Sequence, residues 1–330
     1  MILGGAGGIT TIPFSILAKL DKRVFKDMDK EREKNLRELR DKIDDIDNRI
    51  QKLLIRRTGI VAKVRKLKEQ ERVKIRPARE AEMIYRLMER HAGPFGRREM
   101  FRMWREIIVA TLAMEGPFSV AVHMPKRSGD LWDMARDHFG SFTEMKSYSS
   151  VRGVIDAVHS QKKTVGVLTY PRPGADDKDP WWRHLMLESA EAPKVVARLP
   201  FAGPGNIRDK TAEALVVCPV PQEPTGRDRS LIAMELMPEA SRDGIDAAME
   251  RARIKTTFQS RHADADNRDI WRYLVEVEGF VKPRDGRLGK LAGDLDEQLI
   301  RLVNIGGYAT PLTPEDLDGP DTRANEDPRA

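Results

Sequence analysis

Positively charged side chains interrupt the apolar stripe of a long predicted helix. Arg57 occupies a heptad position that is otherwise isoleucine or valine, and Arg40 and Lys68 flank the other apolar position of the same seam. In a later predicted helix, Thr111 and Glu115 fall on the apolar face. Burying an unpaired guanidinium is costly unless an anion compensates it. The set therefore predicts a small anionic ligand, and a dicarboxylate fits best because arginine binds carboxylates through two parallel hydrogen bonds.

Arg79 and Glu80 open the first turn of another predicted helix, beside the apolar Met83 and Leu87. Each of these polar residues has a simpler explanation on its own. A long cationic side chain can extend from the edge of a seam into solvent, and a single polar residue can fix the register of a coiled coil. Taken together, Arg40, Arg57, Lys68 and Glu115 converge on one helical interior, and this favours the ligand.

Three predicted helices position these residues. The apolar seam runs from about residue 36 to residue 68 and predicts a helix on the order of 60 Å long. Such a helix is too long to bury its apolar face within one small domain, so it needs a partner chain or more helices. Arg76 and Pro77 end it, and shorter helices are predicted over 78–91 and 97–115.

The remainder of the chain predicts alternating strands and helices, and hence an α/β unit followed by a small α+β unit. The predicted strands are 118–123, 164–169, 194–199, 214–218, 231–236, 255–260, 271–277 and 302–309, and the predicted helices are 131–139, 151–160, 241–253 and 289–299. The predicted domains are an N-terminal extension (1–30), a helical domain (31–116), an α/β domain (117–220), a linker (221–228), an α+β domain (229–310) and a disordered tail (311–330).

The bulk composition narrows the functional classes only slightly. The chain has 330 residues, is 40% hydrophobic and carries a net charge of +6, which suits an anionic small molecule or a nucleic acid equally. Its single cysteine, Cys218, excludes an internal disulfide framework and lies in an apolar run that predicts a buried strand. The six histidines lack the spacing of metal ligands.

No apolar run approaches the ~20 residues of a membrane span, and the N-terminus lacks the basic segment of a signal peptide, so we expect a cytoplasmic protein. A true start at Met28 is an alternative.

The helical segment resembles the all-helical chorismate mutases. The resemblance rests on Leu-Arg-Asp-Lys-Ile-Asp at 39–44, Leu-Leu-Ile-Arg-Arg at 53–57, Val-Arg-Lys-Leu-Lys at 64–68, Arg-Glu-Ala-Glu at 79–82 and the run 107–115. It implies an intertwined homodimer that rearranges chorismate to prephenate. The reaction is unimolecular and requires no cofactor, metal or nucleophile.

The resemblance also implies residue roles. Arg40 would reach into the pocket of the partner protomer, and Arg57 would bind a substrate carboxylate. Lys68 would meet a carboxylate and the ether oxygen. Arg57, Lys68 and Glu115 would be the catalytic residues, with Glu115 facing the ether oxygen.

The second and third helices would supply the remaining substrate contacts. Arg79 and Glu80 would line one side of the pocket, with Glu80 holding the substrate hydroxyl. Thr111 stands where the family often has serine. Arg76 stands where the family often has aspartate, which removes a hydroxyl contact from that loop.

The other two-thirds of the chain resemble the bifunctional mutase–prephenate dehydratases. Phe-Gln-Ser-Arg-His at 258–262 and the runs 271–279 and 304–308 resemble an ACT regulatory domain. The dehydratase signature Thr-Arg-Phe is replaced by Ala-Glu-Ala at 212–214, so we predict a degenerate dehydratase-like domain without activity. Pro-Glu-Ala-Ser at 238–241 replaces the expected Gly-Ala-Leu turn, which leaves an aromatic amino acid effector at the ACT-like domain an open question.

Four alternatives remain at this point. The chain could be a fully bifunctional mutase–dehydratase, or an isochorismate–pyruvate lyase on the same scaffold. It could be a basic coiled-coil protein that binds nucleic acid or a partner, although its cations would then face outward. It could also be a catalytically silent partner of another enzyme. We expect a homodimer that binds chorismate and prephenate, without nucleic acid or membrane partners.

Overall fold

The computed structural model describes residues 14–67, 75–124, 129–171, 180–187, 189, 191–263 and 270–318. The chain forms two compact units, Met1–Leu67 and Lys68–Ala330. The described part of the first is helical, and the described part of the second combines seven α-helices with a mixed sheet. The predicted fold class, a helical N-terminal region followed by α/β structure, is confirmed.

The described part of the first unit is a single long helix, α1 (Phe14–Leu67), of 54 residues. At 1.5 Å per residue it is roughly 80 Å long. It contains one glycine, Gly59, and no proline that would interrupt the helix. It begins within the predicted extension 1–30 and ends at Leu67, close to the predicted end of the seam.

The second unit begins with two helices, α2 (Pro77–Arg90) and α3 (Arg97–Glu115). Pro77 occupies the first turn of α2, where its fixed φ angle suits the helix and its missing N–H costs no hydrogen bond. The glycines Gly96 and Gly116 flank α3. The two helices contact each other, and α2 also contacts the sheet.

The described residues then form nine strands in one sheet, with five more helices around it. In chain order these elements are β1 (Ser119–His123), α4 (Asp130–Phe139), β2 (Glu144–Tyr148), α5 (Val151–His159), β3 (Val165–Thr169), β4 (Lys194–Leu199), β5 (Ala214–Cys218), β6 (Asp228–Leu236), α6 (Arg242–Arg251), β7 (Thr256–Ala263), β8 (Trp271–Glu278), α7 (Gly286–Leu295), β9 (Leu299–Ala309) and α8 (Pro314–Asp318). A short 3₁₀ helix spans Trp181–Leu185 and another spans Asp296–Gln298.

The sheet has the strand order β2-β1-β3-β5-β4-β9-β6-β8-β7. The pairs β1–β2, β1–β3 and β4–β9 are parallel, and the other neighbours are antiparallel. Strand β9 pairs with β4 on one side, through Val195 and Gly306, and with β6 on the other. The predicted α/β and α+β regions therefore share one sheet, and the boundary proposed between them stays a prediction.

Two elements differ from the sequence-based expectation. Strand β2 was not predicted, because it is an edge strand whose residues are mostly exposed and lack apolar alternation. Residues 311–318 were expected to be disordered, whereas Leu312 and Leu317 are buried and Pro314–Asp318 form the helix α8. Residues 319–330 lie outside the described part of the chain.

The core covers both faces of the sheet. One cluster joins α2, α3 and α4 to the sheet, and a second lies on α5 and the 3₁₀ helix with Trp181 and Trp182. A third lies beneath α6 and α7. Cys218 is fully buried in β5, which confirms its predicted place in a strand.

Candidate functional site

The apolar seam of α1 is open to solvent in the single chain. The side chains that define it are 38–62% exposed: Leu39, Ile43, Ile46, Ile50, Leu53, Ile60 and Val64. Arg57 is half-buried and Arg40 is exposed. A contiguous apolar face of this length is unfavourable in water, so we expect another surface to cover it. Lys68 lies outside the described residues.

Neighbouring residues on α2 point in different directions. Arg79 is exposed, whereas the Glu80 side chain is 12% exposed and forms an ion pair with Arg105 of α3 at 2.8 Å. Arg105 is only 3% exposed. Such a pair tolerates burial because each charge compensates the other and both are hydrogen-bonded.

Arg105 also binds the end of a helix in the α/β region. Its Nε and Nη2 donate to the carbonyl oxygen of His138 at 3.0 and 2.7 Å. His138 lies in the last turn of α4, where carbonyl groups have no partner within the helix and a nearby cation is favourable. Arg105 therefore ties α2, α3 and α4 together.

Arg105 was not among the predicted site residues. The signal was present, because Arg105 shares a helical face with Phe101, Ile108 and Leu112 at i−4, i+3 and i+7. A cation on that stripe predicts a buried partner. The identity of the partner, Glu80, depends on the packing of two helices that are separate in sequence.

The second oxygen of Glu80 is buried and lacks a hydrogen bond among the described residues. It lines a cavity of about 20 Å³ together with Arg105, His138 and Phe139, enough for one water molecule. Burial, reinforced by the nearby Arg105 charge, holds the pKa of His138 well below its usual range, so this imidazole is neutral. Because one Glu80 oxygen is buried and the other is paired with Arg105, its predicted contact with a substrate hydroxyl requires a different side-chain conformer.

Thr111 and Glu115 lie on the last two turns of α3. Thr111 is buried, and its hydroxyl donates to the carbonyl oxygens of Ile108 and Ile107 at 2.7 and 3.1 Å. Glu115, the last residue of α3, is half-buried. The second unit thus contains Arg79, Glu80, Thr111 and Glu115 on two contacting helices, and the first unit contains Arg40 and Arg57.

A second polar cluster lies within the sheet around Glu276 of β8, which is 4% exposed. Its Oε2 accepts hydrogen bonds from the hydroxyls of Tyr308 and of Tyr170, the latter at 2.8 Å, and its Oε1 accepts one from Thr257 at 2.7 Å. Arg198 donates to the Tyr308 hydroxyl at 3.0 Å. Burial and the Glu276 charge raise the pKa of both tyrosines, so neither phenol acts as a base near neutral pH.

The same cluster includes the position where a dehydratase signature was expected. Glu213, in the 212–214 segment, accepts hydrogen bonds from Nε and Nη2 of Arg198 at 3.1 and 2.5 Å. This segment therefore presents a carboxylate that is held in an ion pair. Trp181 and Trp182 are 5% and 1% exposed and belong to the core.

The described residues contain no cluster of histidine, cysteine and carboxylate side chains that could hold a metal ion. None of the described helices is both long and apolar enough to cross a membrane.

Comparison with known proteins identifies a family that matches the helical segment. Residues 39–116 match the family described as chorismate mutase type II. These residues form a chorismate mutase domain. The recognition made from the sequence motifs is confirmed, and Arg40, Arg57, Arg79, Glu80, Thr111 and Glu115 all fall within the matched residues.

A curated relative joins this domain to a second activity. The bifunctional chorismate mutase/prephenate dehydratase of Stutzerimonas stutzeri is 32% identical over 139 residues, which are 40% of this chain and 38% of that protein. The match thus spans well under half the length of the relative.

Solved structures give weaker likenesses. A structure described as GqqA, a novel type of quorum-quenching acylase, covers 60% of this chain and 97% of its own with a TM-score of 0.45 and 12% identity. The prephenate dehydratase of Streptococcus mutans covers 59% of this chain and 98% of its own with a TM-score of 0.41 and 13% identity. Scores below 0.5 at such identities do not establish an activity for the region around the sheet.

Proposed function

We propose that the protein is a chorismate mutase that rearranges chorismate to prephenate. The observation that carries this proposal is the match of residues 39–116 to the chorismate mutase type II family. Two features of the residues support it: cations lie in or beside the apolar seam of α1, and Thr111 and Glu115 lie on α3. A small dicarboxylate would compensate the charge of these cations once the apolar seam is covered.

We further propose that the catalytic form is a homodimer that uses the seam of α1. The seam is exposed over its whole length in the single chain, and a second copy presents a face of the same length and period. Packing the two seams together removes apolar surface from water, which stabilises the dimer. Arg40 would then serve the pocket of the partner protomer.

The proposed mechanism needs positioning and electrostatics alone. Arg40 and Arg57 hold the two substrate carboxylates, which keeps chorismate in the compact conformation in which the new bond can form. Lys68 and Glu115 donate hydrogen bonds to the ether oxygen, where negative charge develops as the bond breaks. Arg79 and Thr111 line the pocket. Glu80 joins it only if it exchanges Arg105 for the substrate hydroxyl.

Depletion of chorismate by wild type and by Arg57→Ala tests the mutase proposal. We expect kcat/KM to fall by about 100-fold or more, because chorismate loses a carboxylate contact that holds it in the compact reactive conformation. Arg56→Ala is the matched control, since Arg56 is the exposed neighbour of Arg57 on the same helix, and it should retain the wild-type rate.

A wild-type protein that is inactive on chorismate would overturn the mutase proposal. Activity on isochorismate instead, with release of pyruvate, would favour the lyase. A mass measurement in solution tests the dimer, and a monomeric active protein would contradict it.

We propose that the dehydratase-like region is inactive. Its support is chemical: Glu213 is in an ion pair with Arg198, where the dehydratase signature has a threonine and an arginine. Adding prephenate to the purified protein should yield no phenylpyruvate above background. Phenylpyruvate formation would favour the bifunctional alternative, which is the activity named for the relative in S. stutzeri.

A further inference from the structure

A cleft of about 400 Å³ lies between the start of α2 and the segment that follows β5. Its apolar wall includes Ile75, Val196, Val220 and Ala309. These residues come from four separate parts of the second unit, so folding creates a concave apolar surface that the local sequence does not reveal. The volume falls within the usual range for small-molecule sites.

An ion pair lies at this cleft. Nη2 of Arg76 donates to both carboxylate oxygens of Glu223, at 2.9 and 3.1 Å. The two side chains are 46% and 45% exposed, so a solute can reach them. The pair uses only Nη2, and the other guanidinium donors have no hydrogen bond among the described residues. A carboxylate can therefore bind Arg76 while Glu223 stays in place.

Gln222, which lines the cleft, has an amide oxygen without a donor. Nε2 of Gln222 donates to the carbonyl oxygen of Arg229 at 3.2 Å, which fixes the orientation of the carboxamide. The Oε1 atom of Gln222 is buried and has no hydrogen-bond partner in the described part of the chain. A buried acceptor without a partner is unfavourable, so a turn of this carboxamide towards a donor group in the cleft would be favourable.

The first turn of α2 adds a weak preference for negative charge. Ala78 lines the cleft just inside this helix, and no described side chain caps the turn. Amide groups there lack partners within the helix and favour an anion. This effect acts on the same side of the cleft as the Arg76 guanidinium.

We propose that this cleft binds a neutral α-amino acid with an apolar side chain. The ligand carboxylate binds Arg76 and the start of α2, and its ammonium group donates to Glu223 and Gln222. Its side chain lies against Ile75 and Val220. The charges of the cleft sum to zero, so a zwitterion leaves no charge unpaired, whereas a simple acid or amine leaves one.

This site is separate from the segments 238–241 and 258–262, at which the sequence suggests an ACT-like effector site. It also does not depend on the proposed mutase activity, because it concerns binding alone. The two proposals can therefore fail independently.

Calorimetric titration of the full chain with L-leucine and L-phenylalanine tests the proposal. We expect saturable binding of at least one of them. The matching carboxylic acid without its amino group, and the matching amine without its carboxylate, should each bind about tenfold more weakly or worse.

Three variants locate the site. Glu223→Gln and Arg76→Gln should each weaken binding by about tenfold, and Val220→Phe should weaken it by filling the cleft. Arg98→Gln is the control. It breaks an ion pair with Asp318, and Arg98 is 47% exposed, much like Arg76. This variant should bind the amino acid as wild type does. Thermal melts of every variant check that it is folded.

Two results would overturn the proposal. One is the absence of heat at millimolar concentrations of both amino acids. The other is binding that survives Glu223→Gln and Arg76→Gln in folded protein but is lost in Ser260→Ala, which would place the ligand at the ACT-like segment.

Discussion

Arg105 of α3 donates to Glu80 of α2 at 2.8 Å, and the two side chains are 3% and 12% exposed. Because Arg105 also binds the carbonyl oxygen of His138 at the end of α4, one guanidinium connects two helices of the mutase domain to the α/β region. Glu80, which the sequence predicted to bind substrate, therefore stabilises the packing of these helices.

Removing one member of this pair should be more damaging than removing both. Arg105→Leu leaves the Glu80 carboxylate buried without a counter-ion, and we expect it to lower the free energy of unfolding by about 3–5 kcal/mol. The double variant Arg105→Leu with Glu80→Met replaces the pair by apolar side chains and should recover much of that loss. Urea denaturation measures both.

A surface ion pair provides the comparison for this experiment. Arg98 and Asp318 are 47% and 63% exposed, and Arg98→Leu should change the free energy of unfolding by less than about 1 kcal/mol. If Arg105→Leu proves as mild as Arg98→Leu, the buried pair does not hold these helices together.

His138 predicts a loss of stability in mild acid. Its folded-state pKa lies well below the ordinary value, chiefly because of burial and secondly because of Arg105. Above about pH 6.5 both the folded and the unfolded chain hold this imidazole neutral, so it contributes no pH dependence there. Below that pH the unfolded chain binds a proton that the folded chain does not, and stability falls by at most about 1.4 kcal/mol per pH unit.

Comparison of unfolding free energies near pH 7 and near pH 5 checks this expectation. His138→Gln should reduce the acid-induced loss, because it removes the proton that favours the unfolded state. His159→Gln is the control, since His159 is exposed at the end of α5. An unchanged pH dependence in His138→Gln would show that other groups cause the loss.

Much of this architecture follows from local sequence patterns. Strand β5 matches its predicted limits because an apolar run between polar segments specifies a buried strand, and the first helix follows from its heptad pattern. Strand β2 could not be predicted, because an edge strand with Glu144 and Lys146 facing solvent has no alternation to detect. Pairing of β9 with β4 depends on residues far apart in the chain, and no local pattern encodes it.

The residues of the candidate site also differ in how far the sequence alone could reveal them. The cations of α1 and the polar residues of α3 were identified because they break an apolar period. Arg105 breaks it as well, yet its role follows only from the positions of Glu80 and His138 in space. The Arg76–Glu223 pair is still less predictable. Exposed charges are common, and only the cleft beside this pair indicates a role in ligand binding.

The C-terminal segment should contribute to stability in spite of its polar composition. Leu317 of α8 is 4% exposed and belongs to the core cluster of α2 and α3. Asp316 pairs with Arg227 at 2.7 Å, and this pair holds α8 near the start of β6. Leu317→Ala should lower the free energy of unfolding by about 2–3 kcal/mol, because it leaves a cavity.

Urea denaturation of Leu317→Ala beside Leu187→Ala tests this. Leu187 is 42% exposed, so truncating it should have a small effect. Equal effects of the two substitutions would mean that α8 does not dock on the mutase helices in solution.

Glu115 makes the proposed mutase chemistry sensitive to pH. A carboxyl group can donate a hydrogen bond to the ether oxygen only while it is protonated. The kcat/KM for chorismate should therefore fall as the pH rises through the ionisation of this carboxyl group. Glu115→Gln should flatten the profile, because a carboxamide donates at every pH. Glu99→Gln, at the exposed first turn of the same helix, should keep the wild-type slope. A wild-type rate that stays level or climbs towards alkaline pH would exclude Glu115 as the donor and leave Lys68 as the proposed group that stabilises the ether oxygen.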